Sequence, residues 1–280
     1  MRIDSHHHFW KYDASEYAWI NESMSVLKRD FGPAELRPLC DASRITGVIS
    51  VQASQSLVET ERLIQFAETE ELVLGVVGWV PLATSGVSAA LERLAMSPWL
   101  KGIRHVVQDE PDPAFLHGAA FNAGIQRLKQ FDLLYDLLIY PWQLPATIQF
   151  VDSHPAQPFV LNHIAKPAID SAKYDAEWEK DIRELAKREH VIGCKFSGIV
   201  TEVRDAEWSV ESLRPYWDVV VEAFGIERLM FGSDWPVILL RSDYARWVAA
   251  IETLLEPFSE LEKRRFWGEN ASRIYKLHRK

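Results

Sequence analysis

The chain has 280 residues, 48% of them hydrophobic, with a formal net charge of −9 and two cysteines. That length can bury a full core, and the composition excludes disorder; a negative balance with no run of Lys or Arg excludes a groove for phosphate backbones, so no nucleic-acid partner is expected. Cys40 and Cys194 stand far apart with no Cys-x-x-Cys spacing, and no apolar run approaches the roughly 20 residues of a bilayer span, so a reduced, cytoplasmic chain with no membrane partner is expected.

The first predicted strand, Arg2–Phe9, runs into His6, His7 and His8, then Phe9 and Trp10. Three histidines fused to Phe-Trp are too few for an expression tag. Alternate residues of a strand share a face, so His6 and His8 point one way and His7 the other. Two imidazoles so placed suit a metal, a polarised carbonyl or a water. An insertion at about 10–44 follows, with Trp19, Phe31 and a helix begun by Pro33; on that face it is placed to form a lid or wall.

Further β-rich apolar runs fall at 45–53, 73–82, 100–107, 133–140, 158–165, 190–198 and 228–237. Between them lie helical stripes. Val87, Ala90, Leu91 and Leu94 share one face, as do Phe121, Ile125 and Leu128. Trp178, Ile182, Leu185 and Ala186 form another, Trp217, Val220, Val221 and Phe224 a fourth, and Tyr244, Trp247, Val248 and Ile251 a fifth. Eight strands alternating with helices predict an α/β fold, a single (β/α)8 TIM barrel over residues 1–280. A doubly wound open sheet lacks support, because no Gly-x-Gly-x-x-Gly follows an early strand.

Barrel chemistry sits at the C-terminal ends of the strands. There the sequence places His6 and His8, then Gln52, then Arg104 with His105. Asp136 lies within the fifth run, His163 and Lys166 follow the sixth, Lys195 and Ser197 the seventh, and Asp234 the eighth. Any one of these could cap a helix or start a turn. Together they imply a shared polar pocket, since burying them singly would cost several kcal/mol apiece. Trp10, Trp142 and Trp235 stand beside such residues and suit the walls of a site for a polar organic ligand.

Several motifs carry a family resemblance. They are Ile3-Asp4-x-His6-x-His8-Phe9-Trp10, Asn162-His163-x-x-Lys166-Pro167, Cys194-Lys195-Phe196-Ser197-Gly198, Phe231-Gly232-Ser233-Asp234-Trp235-Pro236 and the closing 268–275 stretch. In this order they resemble the amidohydrolase superfamily, amidohydrolase-2 type. Within it they resemble the sugar-lactonase branch that holds L-fuconolactonase- and L-rhamnonolactonase-like enzymes. The resemblance implies a site of His6, His8, His163 and Asp234. It also implies a cytoplasmic hydrolase of a small-molecule sugar lactone, L-fuconolactone-like, with a place in L-fucose breakdown. One departure matters: the fifth strand ends in Tyr140-Pro141-Trp142 without a histidine, and the fourth offers Arg104 and His105 rather than a lysine. A binuclear centre is therefore not expected. No cofactor is obligatory, and His6, His8, His163 and Asp234 remain an optional site for one Zn²⁺.

On this reading Asp234 is the general base and later the proton donor, while His163, His6 and His8 polarise the carbonyl or orient the water. Arg104 suits sugar hydroxyls, a carboxylate or the oxyanion. Lys166, Lys195, Gln52 and Asp136 suit hydroxyl contacts, and Trp10, Trp142 and Trp235 suit stacking on a sugar ring. No Gly-x-Ser-x-Gly elbow is present. The alternatives are a metal-dependent decarboxylase or another hydrolase of the same superfamily, and a non-catalytic sugar-binding barrel. Sequence leaves the lactone, its ring size and the oligomeric state open.

Overall fold

A computed structural model of the chain describes residues 1–277; the last three residues of the expected 1–280 domain lie outside the described residues. Eight short strands form one parallel sheet in sequential order: β1 (Ile3–His7), β2 (Gly47–Val51), β3 (Val73–Gly78), β4 (Leu100–Val106), β5 (Leu134–Leu138), β6 (Phe159–Leu161), β7 (Val191–Phe196) and β8 (Leu229–Phe231). The circle closes where β1 meets the end of β8. His8 N donates to Trp235 O at 2.7 Å and Asp234 N donates to His6 O at 2.8 Å. This is the TIM barrel the alternating pattern predicts.

Each predicted stripe is a helix that lays its apolar residues on the sheet. These are α3 (Val87–Leu94), α4 (Ala119–Leu128), α6 (Ala176–Ala186), α7 (Val210–Phe224) and α8 (Tyr244–Leu255). In α6 the Asp175 carboxylate caps Trp178 N, and Trp178, Ile182, Leu185 and Ala186 are all buried. Pro33 opens α1 (Pro33–Ala42) at a first-turn position. Two helices escape the stripe criterion for local reasons. In α2 (Leu57–Thr69) the inward face includes Glu59 and Thr60, which breaks its apolar stripe. The helix α5 (Leu144–Asp152) is short, has Pro145 in its first turn and buries Thr147. Two more short helices follow, α9 (Glu260–Arg264) and α10 (Asn270–Ile274); at the end of α10, Ile274 and Tyr275 pack with Ile3, Val160 and Met230. Among the described residues no helix is long and apolar enough to cross a membrane.

The insertion after β1 folds back on the barrel mouth. Trp10 and Phe31 form an antiparallel bridge, with N–H···O distances of 3.0 and 2.9 Å. The chain between them puts Trp19 and Met24 into the wall of a cavity at the strand ends.

Candidate active site

The site begins with a buried acid that sequence reading passed over. Asp4 Oδ1 accepts from Ser233 N at 2.9 Å and His6 N at 3.1 Å, while Oδ2 accepts from Tyr244 OH at 3.0 Å. Burial outweighs these bonds and pushes its carboxyl up to about 6. One side chain thus locks the end of β1 to the end of β8, which sets His6 and His8 against Asp234.

Three imidazoles converge on one oxygen. Asp234 Oδ1 lies 3.2 Å from His8 Nε2, 3.6 Å from His6 Nε2 and 3.8 Å from His163 Nε2. All four groups are buried. Burial pushes every imidazole down, His163 to about 3 and His6 well below its ordinary value, so the rings are neutral at pH 7. Burial alone would raise Asp234, but its neighbours His163 and His8 and the charge of Lys166 outweigh it and hold the carboxyl below its usual range.

The other ring nitrogens assign the protons. His8 Nδ1 sits 2.7 Å from Val51 O, an acceptor only, so Nδ1 carries the hydrogen and Nε2 a lone pair. Arg104 Nη1 donates to His6 Nε2 at 3.2 Å, which makes that atom a lone pair as well. His163 differs. Its Nδ1 meets Ser197 Oγ at 2.9 Å, and a hydroxyl can donate or accept. Of the three rings, His163 alone can place a hydrogen on Nε2 without losing its outer bond.

That division bears on the metal. His6, His8 and Asp234 offer donor atoms that all lie within 4.8 Å of one another, two imidazole lone pairs and a carboxylate, a set that suits one divalent cation. The 3.2 Å contact between the His8 lone pair and the Asp234 carboxylate also calls for a proton or cation between them. His163, expected in the metal set, falls outside this group of donor atoms.

His163 and Lys166 reach the cavity from an unusual turn. Residues 163–166 all take positive φ, between 47° and 62°, and Asp234 has φ 58°. Non-glycine residues in this left-handed region are strained, and such strain persists where the surroundings over-determine it. Here Trp178 Nε1 holds Ile164 O at 2.7 Å, and Ile169 pairs with Val203 in a parallel bridge. Gly198 (φ 67°) makes room: a Cβ there would lie 2.6 Å from His163 Nδ1 and 2.9 Å from Asp234 Oδ2.

The cavity has a volume of about 400 Å³. His8, His163 and Asp234 line its floor with Arg104, and Lys166, Glu202, Tyr140, Gln108 and Asp109 form a polar wall. Met24, Leu138, Val237 and Leu240 form an apolar one, joined by Trp19.

Several expected contact residues lie elsewhere. Asp136 and Lys195, both fully buried, pair at 2.7 Å inside the barrel, where Asp136 also accepts from Asn162 Nδ2 and Tyr275 OH at 2.9 Å each. They are too deep to meet a ligand. Gln52 is also sealed; its carbonyl takes Arg104 Nη2 and its amide donates to Arg104 O. Trp10 and Trp235 have no open ring face, being packed among Phe9, Tyr17, Trp19 and Phe31. Trp142 is 58% exposed but lines a neighbouring depression. The tryptophan that does line the cavity is Trp19. His105 is turned aside as well, bound to Glu110 at 2.5 Å and stacked on Phe115.

Sequence reading also missed Glu202. No periodicity marks it, since it ends a single turn, Ile199–Glu202, after β7. Burial and the field of Asp234 raise its carboxyl, with Lys166 opposing.

A carboxylate ringed by imidazoles at the C-terminal mouth of a parallel barrel stands where the active sites of barrel enzymes are built. The amidohydrolase family model matches residues 3–277, and the chain belongs to that family, amidohydrolase-2 type. It is 40% identical to an L-fucono-1,5-lactonase of Burkholderia multivorans, over 99% of this chain and 96% of that protein. It is 34% identical to an L-fucono-1,5-lactonase of Burkholderia ambifaria, over 100% of this chain and 97% of that one. The crystal structure of an amidohydrolase from Burkholderia multivorans with bound zinc matches with a TM-score of 0.93 at 39% identity, covering 99% of this chain and 100% of that chain.

Proposed function

We propose that this chain is a lactonase, a carboxylic ester hydrolase, that opens a sugar aldonolactone of the L-fucono-1,5-lactone kind to its aldonate. Relatives of that activity at 34–40% identity over nearly the whole chain support the reaction class and the substrate type. The observation that carries the chemistry is the single Asp234 oxygen facing three neutral imidazole nitrogens at the floor of a mixed polar and apolar cavity. A role in L-fucose breakdown in the cytoplasm accords with that substrate.

The Asp234 carboxylate takes a proton from water as the water oxygen bonds to the lactone carbonyl carbon. His163 donates its Nε2 hydrogen to the carbonyl oxygen as negative charge develops there, with Ser197 holding the ring's other nitrogen. The tetrahedral adduct then expels the ring oxygen, and Asp234 returns its proton to that alkoxide. Arg104 acts from behind, fixing His6 and placing positive charge beneath the site. His6, His8 and Asp234 would hold a divalent cation, which supplies Lewis acidity and acidifies a bound water. The Arg104 charge already at His6 is the physical reason to treat that cation as optional.

A pH-indicator assay over five- and six-membered aldonolactones, with and without chelator and added Zn²⁺, tests the reading. Turnover of a 1,5-lactone of a deoxy sugar is expected, and it persists after chelation. Absence of turnover over the whole panel sinks it.

A further inference from the structure

The cations at this end of the barrel are already answered by carboxylates. Lys195 is bonded to Asp136 at 2.7 Å. Arg104 lies in the field of Asp136 and Asp234. Its Nη1 is spent on His6 and Asn162, its Nη2 bonds Gln52 O, and its Nε is sealed from solvent. Lys166 reaches the cavity wall, and there Glu202 Oε1 stands 3.6 Å from its Nζ.

That last pair is close enough to cancel charge and too long for a hydrogen bond. Lys166 therefore keeps N–H groups, and Glu202 keeps lone pairs, for a ligand. Both side chains are partly open to the cavity, at 17% and 22% exposure. Their geometry is held from behind: Ile169 N donates to Glu202 O at 3.2 Å and Arg204 N donates to Ile169 O at 2.8 Å. The two loops are zipped together, so the pair is presented as a unit.

We propose that Glu202 determines the charge specificity of this site: by neutralising Lys166 it makes the cavity take uncharged polyhydroxy lactones and reject lactones that bear a carboxylate. A pair of vicinal hydroxyls matches the wall, one accepting from Lys166 Nζ and the other donating to Glu202. A substrate carboxylate would meet Glu202 directly, and like charges in a confined site repel. The inference rests on the lactonase reading for its substrates, but not for its charge logic.

The test is steady-state hydrolysis of neutral aldonolactones and of lactones of aldaric acids, which carry a free carboxylate. It compares the wild type, Glu202→Gln, Lys166→Met and the double variant, each checked for an unchanged melting curve. In Glu202→Gln the ratio of kcat/KM for neutral over carboxylate-bearing lactones falls at least about 10²-fold, mainly through KM, as an unpaired cation gains a charged acceptor and a hydroxyl loses one. In the double variant, neutral again at this wall, the ratio returns toward the wild-type value, which a merely structural role for Glu202 would not produce. Equal effects of Glu202→Gln on both substrate classes, or no recovery in the double variant, would overturn the proposal. If the wild type opens no lactone at all, the reaction assignment has failed instead. Calorimetric binding of a neutral aldonolactone against an aldaric-acid lactone to the same four proteins then decides the charge rule: a preference for the neutral lactone that Glu202→Gln reverses supports it, and a preference that Glu202→Gln leaves unchanged refutes it.

Discussion

His8 Nε2 faces Asp234 Oδ1 at 3.2 Å while its Nδ1 is pinned to Val51 O at 2.7 Å. The pin fixes the tautomer, so a lone pair and a carboxylate confront each other at the floor of the cavity. That arrangement leaves a place for a proton or a cation between the two groups.

The acid–base role proposed for Asp234 gives the first prediction. Asp234→Asn keeps the shape and the Asp234 N–H bond to His6 O, but not the basicity. Its kcat should fall by at least about 10² with the melting temperature little changed, the usual cost of losing general base catalysis. Near-normal turnover in this variant would remove Asp234 from the mechanism.

Zinc binding separates the histidines. Equilibrium dialysis of the wild type against Zn²⁺ should load up to one ion, and His8→Ala and His6→Ala should abolish loading because each removes a lone-pair donor from the three-atom group. His163→Ala should retain zinc yet lose turnover. Loss of zinc in His163→Ala to the same degree would return that ring to the metal set.

Gly198→Ala tests the crowding behind the site. The added Cβ would press on His163 Nδ1 at 2.6 Å and on Asp234 Oδ2 at 2.9 Å, in a backbone conformation with φ 67° that disfavours alanine. Destabilisation of about 1–3 kcal/mol is expected, with a larger proportional loss of kcat, read by chemical denaturation and turnover together. Wild-type values for both would mean the site has room to spare.

Glu59 links stability to pH. Its carboxylate accepts from Tyr17 OH at 2.9 Å and from the backbone N–H groups of Ala53 and Ser54 at 3.0 and 2.9 Å, yet burial outweighs these and raises it to about 7. The folded state therefore binds this proton more tightly than the unfolded chain does. The associated stability is full below the unfolded value near 4.5 and is lost as pH rises toward 7. A shift of this size corresponds to a few kcal/mol, about 1.4 per pH unit. Glu59→Gln removes the charge and can keep three contacts, its Oε1 accepting from Ala53 N and Ser54 N while its Nε2 donates to Tyr17 OH. Its melting temperature relative to wild type should climb between pH 4.5 and 7. A difference that stays flat across that window would show that the acid does not titrate there.

The alternation of strands and helices was legible because periodicity is local. Apolar residues at spacings of three and four make one helix face whatever packs on it, and the stripes from Val87 to Ile251 became helices. The strand-end logic likewise brought His6, His8, His163 and Asp234 to one point. It did not tell depth. Asp136 and Lys195 also sit on barrel strands near polar neighbours, but the stagger between strands carries them below the floor. Trp10 and Trp235 sit beside site residues in sequence and point into the core.

Sequence alone determined that three imidazoles and a carboxylate meet at a barrel mouth, since chain order and alternation suffice for that. Tertiary structure decided what each can do, because the deciding partners come from elsewhere in the chain. Val51 and Arg104 turn the nitrogens of His8 and His6 into lone pairs, Ser197 leaves His163 able to donate, and Glu202 reaches Lys166 across two loops. Hydrogen-bond direction and charge pairing depend on distances between remote segments, and no local pattern encodes those.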